Sequence, residues 1–100
     1  MVTVCVLLTL HLPGVQSLKE KRAVVRSLVE RLRGRMRLSA AEVGLQDRTQ
    51  QAQVGFAVVS GDMATARRLA DEARRFVDEE LIGRAEVVAT EVEELVLSAP

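Results

Sequence analysis

Val2-Thr3-Val4-Cys5-Val6-Leu7-Leu8-Thr9-Leu10-His11-Leu12-Pro13-Gly14-Val15-Gln16-Ser17-Leu18-Lys19-Glu20 changes its period halfway along. Up to Leu12 every even position is Val or Leu, while the odd positions are Thr3, Cys5, Leu7, Thr9 and His11. Alternation of this kind is a β-strand with one wholly apolar face and one mixed face. Pro13-Gly14 breaks it. Ser17, with Glu20 three residues later, is a capping box that starts a helix predicted over Leu18 to Gly34. In that helix Leu18, Val25, Leu28, Val29 and Leu32 recur at helical spacing as a core stripe, and Lys19, Arg22, Arg26 and Arg33 fall on the other side.

The same two periods repeat in the remainder. Arg37 to Gln46 reads as a second strand with Val43 and Leu45 marking one face, and Gln51 to Ser60 as a third with Val54, Phe56 and Val58 on one side. Asp47-Arg48-Thr49-Gln50 is the polar tip between them. Asp62 is the expected N-cap of a second helix, whose stripe is Met63, Ala66, Leu69, Ala70, Ala73, Phe76 and Val77 and whose end is expected near Ile82-Gly83. On its outer face the pairs Arg67–Asp71, Arg68–Glu72, Arg74–Asp78 and Arg75–Glu79 are spaced for i,i+4 attraction. The last strand is predicted from Ala85 to Leu97, with Val88, Val92 and Val96 set against Glu86, Thr90 and Glu94.

The predicted order, strand-helix-strand-strand-helix-strand, is that of the ferredoxin-like α+β sandwich. That fold is a four-stranded antiparallel sheet with both helices on one face, here a single domain over residues 1–100. The other sheet face is left uncovered. Because Thr3, Cys5, Leu7 and Thr9 are too apolar to face water alone, a homodimer through that face is expected.

Composition bounds the function. In 100 residues, 48% are hydrophobic and 28% charged, which excludes a disordered chain. A formal net charge of 0 removes the global field that drives non-specific DNA binding, so no DNA partner is expected. The distribution is polarised: residues 1–50 carry nine basic and four acidic side chains, residues 51–100 five and ten. No apolar run is long enough for a membrane span, and the N-terminal segment lacks a signal peptide's basic start, so no membrane partner and a cytoplasmic location are expected. Lone Cys5 closes no disulfide within the chain. Lysine occurs only at 19 and 21 and asparagine not at all, a bias compatible with a GC-rich, thermophilic source.

Eight bases between positions 19 and 37, against two acids, put cations where phosphates bind by counterion release. Lys19, Lys21, Arg22, Arg26 and Arg33 are therefore the candidate contacts to RNA or a partner; a plain solvated helix face is the other reading. Base stacking on the sheet is not expected, since the first strand has no aromatic and the third has only Phe56, on the core side.

The turn from His11 to Ser17 delivers the chain to a helix N-terminus, where free N–H groups hold anions, so His11, Gly14 and Ser17 form a candidate anion site. A phosphate-cleaving enzyme of the acylphosphatase kind would need an Arg in that loop and an Asn to orient water. The loop has no Arg and the chain no Asn. His11 is the only conventional general base and has no nucleophile or carboxylate at fixed spacing. No metal ligand set, cofactor motif or catalytic residue is assigned, and the balance leans away from an enzyme.

His11-Leu12-Pro13-Gly14, Ser17-Leu18-Lys19-Glu20-Lys21-Arg22, Ala41-Glu42-Val43, Gln46-Asp47, Val58-Val59-Ser60 and Phe76-Val77 together resemble the YlxP-like family of small bacterial proteins, a family of unknown function. The resemblance covers nearly the whole chain, and the Ser-Leu-Lys-Glu-Lys-Arg run is its most specific part. It implies a ferredoxin-like fold and no established activity. Genes of that family stand beside those for a translation initiation factor and a ribosome-binding factor, an association that points toward ribosome maturation or translation. Many relatives carry an aromatic in the hairpin after the Gln-Asp pair, where this chain has Arg48-Thr49-Gln50, so the resemblance implies no stacking role for this hairpin. The expected function is thus a non-enzymatic module that contacts RNA or a ribosomal subunit through its first helix. Its rivals are a protein-binding or scaffolding homodimer without nucleic acid, and a small-anion sensor or hydrolase at the first turn.

Overall fold

The floor of the core is laid by β1 (Val2–His11), in which Val2, Val4, Val6, Leu8 and Leu10 are all buried. The structure, a computed structural model, describes residues 1–98. β1 pairs antiparallel with β3 (Gln51–Ser60) from Val2↔Ser60 to His11↔Gln51. On its other side it pairs antiparallel with β4 (Glu86–Val96), with a bulge between Thr9 and Leu10. β2 (Ser39–Gly44) runs antiparallel to β3, which gives the order β2-β3-β1-β4. α1 (Leu18–Arg35) and α2 (Met63–Glu80) bury Val25, Leu28, Val29 and Leu32, and Ala66, Ala70, Ala73 and Val77, against the even face of β1 and its ladder partners Val54, Phe56 and Val58. The fold is the expected ferredoxin-like βαββαβ sandwich. Among the described residues, no helix is long and apolar enough to cross a membrane.

Both expected helix starts are in place. Ser17 Oγ accepts the Glu20 N–H at 3.1 Å, and Asp62 Oδ1 accepts the Thr65 N–H at 2.9 Å. The helix ends differ from expectation. α1 runs through Gly34 and stops at Arg35, because the Met36 and Leu38 N–H groups both turn back to the Leu32 carbonyl while Arg37 takes a left-handed φ of 56°. α2 stops at Glu80, two residues early, and Gly83 at φ 79° makes the turn into β4.

β2 has six residues rather than ten, since left-handed Arg37 and Leu45 (φ 56°) interrupt extended chain on either side. Val43 and Leu45 do not share a buried face: Val43 lies exposed over Gly55, and β2 gives the core only Ala40.

β4 departs most from its reading. Residues directly opposite in an antiparallel ladder share a face. The pairs Val6↔Val92, Val4↔Glu94 and Leu8↔Thr90 therefore put valine, glutamate and threonine together on the helix side, not on opposite faces. α2 packs mainly on β1 and β3, so β4 beyond half-buried Val87 stays open on both faces, and Val92 is 49% exposed. Among the described residues, the α2 side chain that hydrogen-bonds to β4 is Arg67, which grips Glu94 at 2.6 and 2.9 Å. This bidentate bond replaces the expected Arg67–Asp71 pair. Of the four i,i+4 pairs expected, Arg68–Glu72 alone forms among the described residues.

Candidate functional site: the basic groove and the open sheet face

Residues 19, 26 and 33 recur every seven positions and Arg22 fills the gap between the first two, so 3.6 residues per turn aligns all four cations along one side of α1. All four are exposed. Arg22, Arg26 and Arg33 line a groove of about 540 Å³ between α1 and β2, floored by Val25, Val29 and Ala41. Arg33 is fixed by its Nε–H, which donates to the Ala40 carbonyl at 2.8 Å. Among the described residues none of the four makes an ion pair, although Glu42 and Asp47 stand at the loop end of the groove. The contrast is with Arg31 on the same helix, neutralised by Glu80, and Arg67 on α2, neutralised by Glu94.

Lys21 does not belong to this surface. It is fully buried, with Nζ donating to the Leu45 carbonyl at 2.9 Å and the Gln46 carbonyl at 3.0 Å. The Glu42 carboxylate lies 3.4 Å away. A buried ammonium must be paired and hydrogen-bonded, and here it holds the loop after β2 against the head of α1. Its assignment as a contact residue is corrected accordingly.

The four residues expected at a dimer interface lie together on the open face of β1. Cys5 is exposed, and Thr3, Leu7 and Thr9 are half-buried. They form part of a mixed surface. Across the ladder, Leu7 meets Gly55 and Glu91, Cys5 meets Ala57 and Glu93, and Thr3 meets Val59 and Leu95. Thr9 Oγ1 accepts from Gln53 Nε2 at 3.2 Å. A shallow groove of about 930 Å³ runs over Cys5, Leu7, Gly55 and Ala57, with Arg33 and Ser39 at one side and Glu91 and Glu93 at the other. At its end Val59 and Leu95 are 63% and 53% exposed.

The third candidate, at the first turn, is not assembled for an anion. The capping box closes on itself: Gln16 N–H donates to Glu20 Oε2 at 2.9 Å while Ser17 Oγ takes the Glu20 N–H. A carboxylate therefore already occupies the helix start. Gly14 projects into open space, and His11 Nδ1 lies 3.5 Å from Glu86 Oε1, away from Ser17's hydrogen bonds. Sequence reasoning missed Arg48, which the β2–β3 loop brings beside His11 and Gln16 around a depression of about 440 Å³. It also missed Gln50, whose amide donates to the Pro13 and Val15 carbonyls at 3.2 Å each. No short-range spacing links residues 48 and 50 to residue 11; only the β1–β3 register does.

Three electrostatic shifts lie at the α2 side of the sheet. The hydrogen bond from Arg67 holds the Glu94 carboxyl below its usual range, and the same bond raises Arg67. The Thr65 N–H likewise lowers Asp62. Among the described residues, no three His, Cys, Asp or Glu side chains cluster in a way that would hold a metal ion.

Comparison with known proteins bears on the family and the fold. Residues 3–92 match the family described as "Protein of unknown function (DUF503)". The uncharacterized protein YlxP of Bacillus subtilis (strain 168) is 34% identical over 62 residues, covering 62% of this chain and 67% of that one. Among solved structures, protein YJCS is similar at a TM-score of 0.61 and 11% identity, covering 91% of this chain and 96% of that one. A protein from an uncultured marine organism, described as dimeric and ferredoxin-like, is similar at 0.57 and 8% identity over 99% of this chain and 100% of that one. At these identities the structural likeness is one of fold.

Proposed function

The chain belongs to the DUF503 family of proteins of unknown function, and on that footing we propose that it is a non-enzymatic binding module whose first helix contacts RNA of a ribosomal particle. The observation that supports this reading is the row of exposed cations Lys19, Arg22, Arg26 and Arg33, which make no ion pair among the described residues. Lys19 to Arg33 spans roughly 21 Å of helix at 1.5 Å per residue, enough to meet several consecutive phosphates. Guanidinium groups suit phosphate because their fork donates two parallel hydrogen bonds. The open sheet face carries no Phe, Tyr or Trp, Phe56 being buried on the helix side, which makes contact through the backbone, without base stacking, the expected mode. The test is fluorescence anisotropy with a labelled ribosomal RNA fragment over a salt series. Binding should weaken steeply with salt and fall about tenfold or more in Lys19→Glu/Arg26→Glu; binding that survives both changes moves the site off α1.

A second reading rests on a different surface. The apolar exposure at Val59, Leu95, Cys5 and Leu7 favours a homodimer through the open sheet face, acting as a protein-binding scaffold without nucleic acid. The marine protein's description as a dimer on this fold supports it. Leu7→Arg should give a folded monomer, and a dimer unaffected by that change must use another surface.

A further inference from the structure

We infer that the open face is self-complementary in charge, and that two copies meet across it on a two-fold axis parallel to the strands, with β4 of each over β2 of the other. This rests on the homodimer reading above and adds the orientation of the copies. The face runs from a cationic edge to an anionic one. At the β2 side Arg33, tethered through Nε to the Ala40 carbonyl, reaches round to line the groove. At the β4 side stand Glu91 and Glu93, opposite Leu7 and Cys5 in the ladder and exposed. Between them the surface is small or apolar, with Gly55 and Ala57 beside Leu7 and Cys5.

A two-fold axis along the strands reverses the edge-to-edge order, so Arg33 of each copy faces the partner's Glu91 and Glu93. An axis across the strands keeps the order and sets carboxylates against carboxylates. Like-charge juxtaposition disfavours that second arrangement. Face-to-face sheets pack about 10 Å apart, a separation that long arginine and glutamate side chains bridge from opposite sides. Three strands about 33 Å long and the shorter β2 of about 20 Å, spaced about 4.8 Å apart, give a footprint of roughly 570 Å² before side-chain relief, approaching the roughly 800 Å² per partner of a standard interface.

The test mixes two charge-reversed chains. Arg33→Glu and Glu91→Arg/Glu93→Arg are purified separately, checked for folding by circular dichroism, and sized by analytical ultracentrifugation alone and as an equimolar mixture. Each alone should dimerise about tenfold or more weakly than the wild type, and the mixture should recover a heterodimer, because every reversed charge then meets its opposite. Ser39→Glu, at an exposed position on the same edge, replaces Arg33→Glu should that variant not fold. A dimer indifferent to the reversals, a mixture that does not recover, or Glu91→Arg/Glu93→Arg dimerising more tightly overturns this orientation and leaves the homodimer reading standing. A wild-type chain that stays monomeric at all accessible concentrations overturns both.

Discussion

Lys21 donates from Nζ to the Leu45 carbonyl at 2.9 Å, so the first turn of α1 clamps the loop in which Leu45 is held at a left-handed φ of 56°. A non-glycine residue in that conformation is strained and persists only when its surroundings over-determine it. The same ammonium takes the Gln46 carbonyl, and the loop it fixes carries Arg48 and Gln50 to the first turn. The clamp thus ties the start of the basic helix to the loop at the His11 end of the sheet.

Lys21→Met keeps the chain length and removes the donors. Two carbonyls and the half-buried Glu42 carboxylate lose their partner, which should cost about 2–4 kcal/mol in urea unfolding, whereas exposed Lys19→Met should stay within about 0.5 kcal/mol. Equal effects at the two positions would contradict a buried clamp.

The burial of Lys21 was legible in the sequence, because 21, 25, 28 and 32 follow the helical period and place the lysine on the core stripe with Val25, Leu28 and Leu32. Charge type outweighed position in reading it as a surface cation. The alternation of β1, both N-caps and the element order were equally legible, since each depends on near neighbours in the chain. β4 was not. Which of its faces is covered depends on where α2 lands, and α2 lies over β1 and β3, which leaves Val92 and Val96 in the open despite their pattern. The end of α1 was misplaced because Gly34 suggested a stop, while the left-handed residue is Arg37. At the candidate site, Lys19, Arg22, Arg26 and Arg33 followed from helical spacing, but the approach of Arg33 to Ala40 and of Arg48 to His11 arises only from packing.

Arg37→Gly should stabilise the protein by about 0.5–1 kcal/mol, because glycine adopts the left-handed conformation without the Cβ clash that arginine suffers there. Chemical denaturation measures it. A loss of stability would mean that the Arg37 side chain makes a compensating contact.

Acid should weaken the contacts that α2 makes at its start and with β4. Asp62 and Glu94 are held below their ordinary values of 3.8 and 4.5 by the Thr65 N–H and by Arg67. A carboxylate whose pKa is depressed by folding contributes stability fully above its unfolded value and loses it as pH falls through the folded one. Melting temperature should therefore drop on acidification below about pH 4.5, and less steeply in Asp62→Asn/Glu94→Gln, which no longer titrates at these positions. Identical acid limbs would place the pH dependence elsewhere.

Inorganic phosphate at millimolar concentration should leave the melting temperature unchanged, because the Glu20 carboxylate already occupies the helix start beside Ser17. A rise that grows with phosphate and disappears in Arg48→Ala would instead reveal an anion site at the first turn.

Sedimentation of the tagged protein with ribosomal subunits from its own cell extract, run across a salt series, examines RNA contact through α1 in its natural setting. Attachment to a subunit or its precursor that weakens with salt and vanishes in Lys19→Glu/Arg26→Glu is the predicted result. A wild-type protein that stays at the top of the gradient at the lowest salt would contradict it and leave the protein-binding dimer as the function of this fold.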